Sequence, residues 1–99
     1  MESVIPDPSV VVATKDHFSC PLGDDTIILD VKAGLYFSLD NVGALVWQLV
    51  QDPTSVKELR AAILERYEVE PEVCERDLLA LLRELAARDL IEIRDATSA

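Results

Sequence analysis

The sequence predicts an α+β domain of the winged helix-turn-helix type, in which a three-stranded antiparallel sheet is followed by three helices. Two observations support this prediction. β-Branched and alternating apolar residues dominate the chain through Leu39, and apolar residues at helical spacing dominate the remainder of the chain. Strands followed by helices, rather than alternating with them, are typical of α+β folds. A length of 99 residues is sufficient for one domain around one core.

Three segments are predicted strands: residues 10–14, 26–31 and 35–39. The last two are predicted to form a hairpin that turns at Gly34, and residues 15–25 are predicted to be a loop. Alternation assigns residues to the two faces of the hairpin. It places Ile27, Leu29 and Val31 towards the core with Asp30 outward, and Leu35, Phe37 and Leu39 towards the core with Ser38 outward.

Capping signals delimit three predicted helices. Asp40 is a candidate N-cap for a helix that ends before Asp52-Pro53, and Ser55 with Glu58 forms a capping box for the second helix. The third helix begins at Pro71, extends to about residue 88, and precedes a short terminal strand at residues 90–93. On a helical wheel, the apolar positions of this helix span an arc that is wider than the arc needed to cover one core. They are Leu81, Cys74, Leu85, Leu78, Leu82, Ala86 and Leu79.

The domain is predicted to span residues 10–93, between an extended arm at residues 1–9 and a frayed end at residues 94–99. The first residues lack the features of a secretory signal, and no apolar run is long enough to cross a membrane. We therefore expect a cytoplasmic protein in which Cys20 and Cys74 are reduced.

Charge and motif content argue against several classes of function. A net charge of −10 disfavours binding to nucleic acids or acidic membranes. The lone His17, the three glycines and the absence of metal-ligand spacings predict no enzyme activity, no metal and no cofactor. An acidic carrier protein is an alternative, but Ser38 lies in a predicted strand and not at the start of a helix.

An ordered set of residues across the chain resembles the PqqD-like family, also called RiPP recognition elements. The resemblance covers roughly residues 10–93 and follows the family's order of hairpin, Gly-x-aromatic, Leu, Gly and Trp. Asp40 stands where the family more often has Asn. The residues that carry the resemblance are Ile28-Leu29-Asp30, Gly34 to Leu39, Asp40-Asn41, Gly43, Trp47, Ser55-Val56, Glu58-Leu59, Tyr67, Leu78-Leu79, Leu85, Leu90 and Ile91.

The resemblance implies a non-catalytic adaptor that binds the leader segment of a ribosomally made precursor peptide. In a lasso-peptide pathway the further partners would be a leader peptidase and possibly a cyclase, and the adaptor would be a monomer or a weak dimer. The alternatives are a PqqD-type peptide chaperone for a radical-SAM enzyme and an acidic winged-helix transcription regulator.

A binding site can be inferred from the predicted elements. No long strand comes after the third one, so its outer edge is predicted to be free to pair with an added antiparallel strand. One flank of the wide apolar arc on the third helix is predicted to face this edge and form a groove, where Glu75 would meet a basic leader residue. The predicted leader-binding residues are Leu35, Tyr36, Phe37, Ser38, Leu39, Glu75, Leu78, Leu79, Leu82 and Ala86.

Overall fold

The computed structural model describes residues 9–15 and 17–94. The order of the elements agrees with the predicted fold class: four strands precede the first of three helices, and three of those four form one antiparallel sheet. The elements are β1 (Val10–Ala13), β2 (His17–Leu22), β3 (Asp25–Asp30), β4 (Leu35–Leu39), α1 (Asn41–Leu49), β5 (Thr54–Ser55), α2 (Val56–Arg66), α3 (Pro71–Ala87) and β6 (Ile91–Arg94).

The strands form two separate antiparallel sheets, in the orders β2-β3-β4 and β5-β1-β6. The predicted hairpin and the terminal strand are confirmed. The membership of the first strand is corrected, because β1 pairs with β5 and β6 and not with the hairpin. The third strand of the hairpin sheet is instead β2, which lies inside the segment predicted to be a loop.

The loop prediction for residues 15–25 was wrong because it gave Pro21 and Gly23 too much weight. Gly23 has a φ of +65° in the tight turn between β2 and β3, and Pro21 lies in an edge strand, where proline's missing N–H is tolerated. Pairing with β3 extends from His17 opposite Asp30 to Leu22 opposite Asp25. A partner strand thus overrides weak local strand propensity.

The face assignment for β3 was also wrong. That for β4 is confirmed for Phe37 and Leu39, whereas Leu35 is 54% exposed. Ile28 is fully buried opposite Phe37, so Ile27 and Leu29 lie on the outer face of the sheet. Ile27, Ile28 and Leu29 are consecutive apolar residues that fall on both faces of β3, so alternation alone could not select the inner one. Leu29 lies between Phe18 and Tyr36, which are 70% and 75% exposed. The outer face therefore carries an apolar row that is open to solvent.

The predicted helix caps are all present. The Asp40 carboxylate accepts a hydrogen bond from the Gly43 N–H at 2.9 Å, Ser55 and Glu58 form a reciprocal capping box, and Pro71 occupies the first turn of α3. Helices α1 and α3 end at Leu49 and Ala87, close to the predicted ends.

Helix α1 packs on the inner face of the β2-β3-β4 sheet, and α2 and α3 complete one shared core with it. The indole of Trp47 is buried there, with its ring centroid 4.9 Å from that of His17. The buried apolar residues are Val11, Ile28, Leu39, Leu45, Val46, Trp47, Val50, Val56, Leu59, Ile63, Cys74, Leu78, Leu82, Leu85, Leu90 and Ile91. Within the described residues, no helix combines the length and the apolar character needed to span a bilayer.

The ends of the described chain lie close to the predicted domain boundaries. Residues 1–8 of the predicted arm and residues 95–99 lie outside the described part. Ser9 is buried, and its carbonyl accepts a hydrogen bond from the Val56 N–H at 2.9 Å, while Arg94 is the last residue of β6. The division into arm, domain and tail stays a prediction.

Candidate functional site

Strand β4 forms one edge of its sheet. Among the described residues it pairs only with β3, from Leu35 opposite Asp30 to Leu39 opposite Thr26. In an antiparallel ladder, alternate N–H and C=O groups of an edge strand point away from its one partner. The outer border of β4 is therefore able to accept another strand.

A groove lies between this edge strand and helix α3, and the start of α1 closes one of its ends. Its floor is apolar, and its rim carries carboxylates. The lining residues are Asp25, Phe37, Ser38, Leu39, Asp40, Val42, Gly43, Val46, Ile63, Val69, Val73, Cys74, Asp77, Leu78, Leu81 and Glu84.

A second, more polar cleft continues from the groove at the Leu35 end of β4. Phe37 lines both depressions, and the guanidinium carbon of Arg88 lies 4.8 Å from the centre of the Phe37 ring. Cation–π contacts of this kind bring a charged group onto an apolar surface. Arg88 therefore stands at the junction between the groove and the cleft.

Four of the predicted leader-binding residues meet in the groove. Phe37, Ser38 and Leu39 line it from β4, and Leu78 lines it from α3. Leu35 and Tyr36 line the adjacent cleft. The structure thus places the whole predicted strand along two adjacent depressions that share Phe37.

The other four predicted residues lie on the opposite flank of α3. Glu75 approaches Arg60 of α2, with 3.7 Å between its Oε1 and the arginine Nη1, which shows that this flank faces α2. Leu79 and Ala86 are half-buried against the core, and Leu82 has no exposed surface. None of the four lines the groove.

The groove side of α3 carries residues that the sequence analysis did not select. Asp77, Leu81 and Glu84 recur at helical spacing along this flank, and Val73 begins it. Leu81 was visible as one end of the wide apolar arc. A helical wheel shows that two flanks exist, but only the packing of α2 shows which one is already occupied.

The thiol of Cys74 lies at the base of the groove. Burial raises the pKa of this thiol, and the nearby Arg60 guanidinium opposes part of that rise. A thiol that stays protonated and buried is a poor nucleophile. Cys74 therefore contributes apolar surface, and the groove as a whole is suited to hold an extended chain by its backbone and apolar side chains.

An open sheet edge beside an apolar helix groove, on a small winged-helix scaffold, defines a class of domain that binds extended peptides. The family model for coenzyme PQQ synthesis protein D (PqqD) matches residues 25–91. The chain therefore belongs to the PqqD family, which confirms the predicted resemblance. The match includes the edge strand and the whole of α3.

Two solved structures are similar to the chain. The first is TbiB1 in complex with the TbiA(beta) leader peptide, which is 33% identical; the alignment has a TM-score of 0.75 and covers 82% of this chain and 94% of that one. The second is a lasso peptide synthetase B1 complexed with the leader peptide, which is 24% identical; the alignment has a TM-score of 0.72 and covers 83% and 96% of the two chains. No curated protein sequence matches the chain.

Proposed function

We propose that this protein is a leader-binding adaptor of a lasso-peptide pathway. It captures the leader of a ribosomally made precursor and has no catalytic activity of its own. The observation that carries the proposal is the free edge of β4 next to the groove, in a chain that is 33% identical to TbiB1, a protein known in complex with a leader peptide. The second matched structure, of a lasso peptide synthetase B1, supports the lasso-peptide setting.

The leader adds to β4 as a fourth, antiparallel strand of the β2-β3-β4 sheet. Main-chain pairing along Leu35–Leu39 supplies register and direction but little net affinity. About four new hydrogen bonds at about 1 kcal/mol each contribute about 4 kcal/mol. Ordering a disordered peptide costs on the order of 2–5 kcal/mol, which nearly cancels that gain.

Apolar side chains of the leader supply the remaining free energy. Micromolar affinity requires about 8 kcal/mol, and one fully buried aliphatic or aromatic side chain contributes about 1.5–3 kcal/mol. About three to five such side chains are therefore needed. The groove offers them an apolar floor between β4 and α3, of which the accessible part includes Phe37, Val73 and Leu81.

The structure changes which α3 residues we propose as leader contacts. Leu78 is kept, and Leu81 replaces Leu79, Leu82 and Ala86, because Leu78 and Leu81 line the groove and the other three do not. Asp77 replaces Glu75 as the carboxylate that meets a basic leader residue, because Glu75 already faces Arg60 on the α2 side.

The bound leader is then presented to modifying enzymes. In the lasso-peptide setting these are the leader peptidase and, after it, the cyclase. A leader held as a sheet strand leaves the rest of the precursor free to reach those enzymes, so an adaptor can serve both without forming any part of their active sites.

Titration with a labelled leader tests the proposal. The probe is the TbiA(beta) leader peptide carrying fluorescein, and a scrambled peptide of the same composition is the control. We expect saturable binding with a dissociation constant in the micromolar range or below, and none for the scrambled peptide. Equal affinity for both peptides, or no binding of either, would contradict the proposed function.

A further inference from the structure

We propose that the bound segment has a charge polarity, with basic side chains at its N-terminal end and a carboxylate at its C-terminal end. This inference rests on the proposed function and deepens it, because it names the chemistry of the peptide that the groove selects. It is argued from the charges that line the two ends of the β4 edge.

The Leu39 end of the edge is acidic. Four carboxylates line the groove, and no Lys or Arg is among its lining residues in the described chain. Two of the four have other roles, since Asp40 caps α1 and Glu84 pairs with Arg88 at 4.0 Å. The remaining two, Asp25 and Asp77, are exposed on the rim.

Asp77 keeps most of its capacity to pair with a ligand. Its partner in the structure is the adjacent Arg76, at 3.6 Å, and both side chains are largely exposed. An exposed ion pair between neighbours contributes little free energy. A basic peptide side chain that reaches the rim of the groove can therefore compete with Arg76 for the Asp77 carboxylate.

The Leu35 end of the edge has the opposite character. Lys15, Lys32 and Arg88 line the cleft there, against two acidic residues. Of these two, Asp30 uses a carboxylate oxygen to accept the backbone N–H groups of Lys32 and Ala33. The lining of the cleft therefore carries one cation more than it carries carboxylates, although Arg88 also pairs with Glu84, and this surplus occurs within a protein whose net charge is −10.

The charged residues of α3 follow the same order along the groove, from acidic near Leu39 to basic near Leu35. Asp77, Glu84 and Arg88 follow one another along the helix, and Arg88 reaches Phe37 in the middle of β4. The helix and β4 therefore run in opposite directions beside the groove. An antiparallel ligand enters with its N-terminal end at Leu39 and leaves at Leu35, so it passes from the acidic end to the basic end.

Charged extensions of one peptide test the inference. The probe is the labelled TbiA(beta) leader peptide with three lysines or three glutamates added at either end, measured at low and high salt. At low salt we expect the N-terminal lysine form to bind about tenfold more tightly than the N-terminal glutamate form, as two exposed ion pairs allow. At the C-terminal end we expect the reverse order and a smaller ratio, and high salt should reduce both differences.

Two double variants of the protein distinguish the effect of the rim carboxylates from the effect of the protein's net charge. Asp25→Asn with Asp77→Asn should abolish the N-terminal preference and leave the C-terminal one. Asp52→Asn with Glu65→Gln removes the same charge from exposed positions that line neither groove nor cleft, and should preserve both preferences.

The outcomes distinguish this inference from the proposed function. If the untagged leader does not bind, the proposed function fails and the inference fails with it. If the untagged leader binds but lysine tags act equally at both ends, only the charge polarity is refuted. The same conclusion holds if the control pair of substitutions removes the preference as fully as the rim pair does.

Discussion

Arg88 lies over the ring of Phe37, with its guanidinium carbon 4.8 Å from the ring centre. This contact joins the end of α3 to the middle of the edge strand, two elements that otherwise border an open groove. Glu84, one turn earlier on α3, lies 4.0 Å from the same guanidinium. The contact thus fixes the spacing between helix and strand at one end of the site.

We expect Arg88→Gln to lower the free energy of unfolding by about 0.5–1 kcal/mol, the value of a partly exposed cation–π contact. Urea denaturation measures the change. Arg76→Gln is the control, because Arg76 is 75% exposed and pairs only with its neighbour Asp77 in the described structure. Equal losses for the two variants would show that the Phe37 contact contributes nothing.

Leu81→Glu should weaken leader binding by more than about tenfold, because it replaces one apolar groove contact worth about 1.5–3 kcal/mol. Leu79→Glu is the matched control on the other flank of α3, where a half-buried leucine is replaced in the same way. Fluorescence titration with the labelled TbiA(beta) leader peptide measures both. A larger loss for Leu79→Glu would place the leader on the α2 side of the helix. Leu82→Glu is uninformative about binding, since it buries a charge in the core.

Gly43→Val should destabilise the protein by about 1–3 kcal/mol, because the site has no room for a side chain. A Cβ at position 43 would lie 3.1 Å from the Cβ of Leu39, and that atom is tied to the β4 backbone. Thermal and urea denaturation measure the loss. Ala61→Val, at an exposed position inside α2, is the control and should cost only about 0.5 kcal/mol of helix propensity. If Gly43→Val costs no more than the control, β4 can move away from α1.

Cys74 should react with a thiol reagent at least about tenfold more slowly than Cys20 at pH 8, because its thiol is buried and its pKa is raised above the ordinary 9.0. Its reaction rate should continue to rise as the pH increases above 9. The same shift predicts that stability falls in this range, since the unfolded thiol ionises first and the unfolded state then binds fewer protons. Mass spectrometry of timed samples measures the rates, with urea-unfolded protein as the control. Equal rates in the folded protein would mean that the base of the groove opens readily.

Much of the local structure could be predicted from the sequence because it depends on neighbours in the chain. The N-cap at Asp40, the capping box at Ser55 and the first-turn Pro71 each satisfy or avoid backbone groups a few residues away. The same holds for the turn at Gly34, whose φ is +68°. The family resemblance also rested on such ordered local features, and the match over residues 25–91 confirms it.

The errors arose where a distant partner decides the outcome. Strand β2 exists because β3 lies beside it. Ile28 faces inward because α1 packs on that side of a strand whose central residues are apolar on both faces. The groove flank of α3 was chosen incorrectly for the same reason. An apolar arc has two equivalent edges until α2 covers one of them, as the approach of Glu75 to Arg60 shows.

The order of residues along the chain was enough to specify the three helices with their caps, the β3-β4 hairpin and the family of the protein, because these depend on spacing between near neighbours. The three-dimensional packing was needed to establish which border of the sheet stays unpaired and which side of α3 faces it. Those two facts create the groove, and they depend on which surfaces the rest of the chain has already covered.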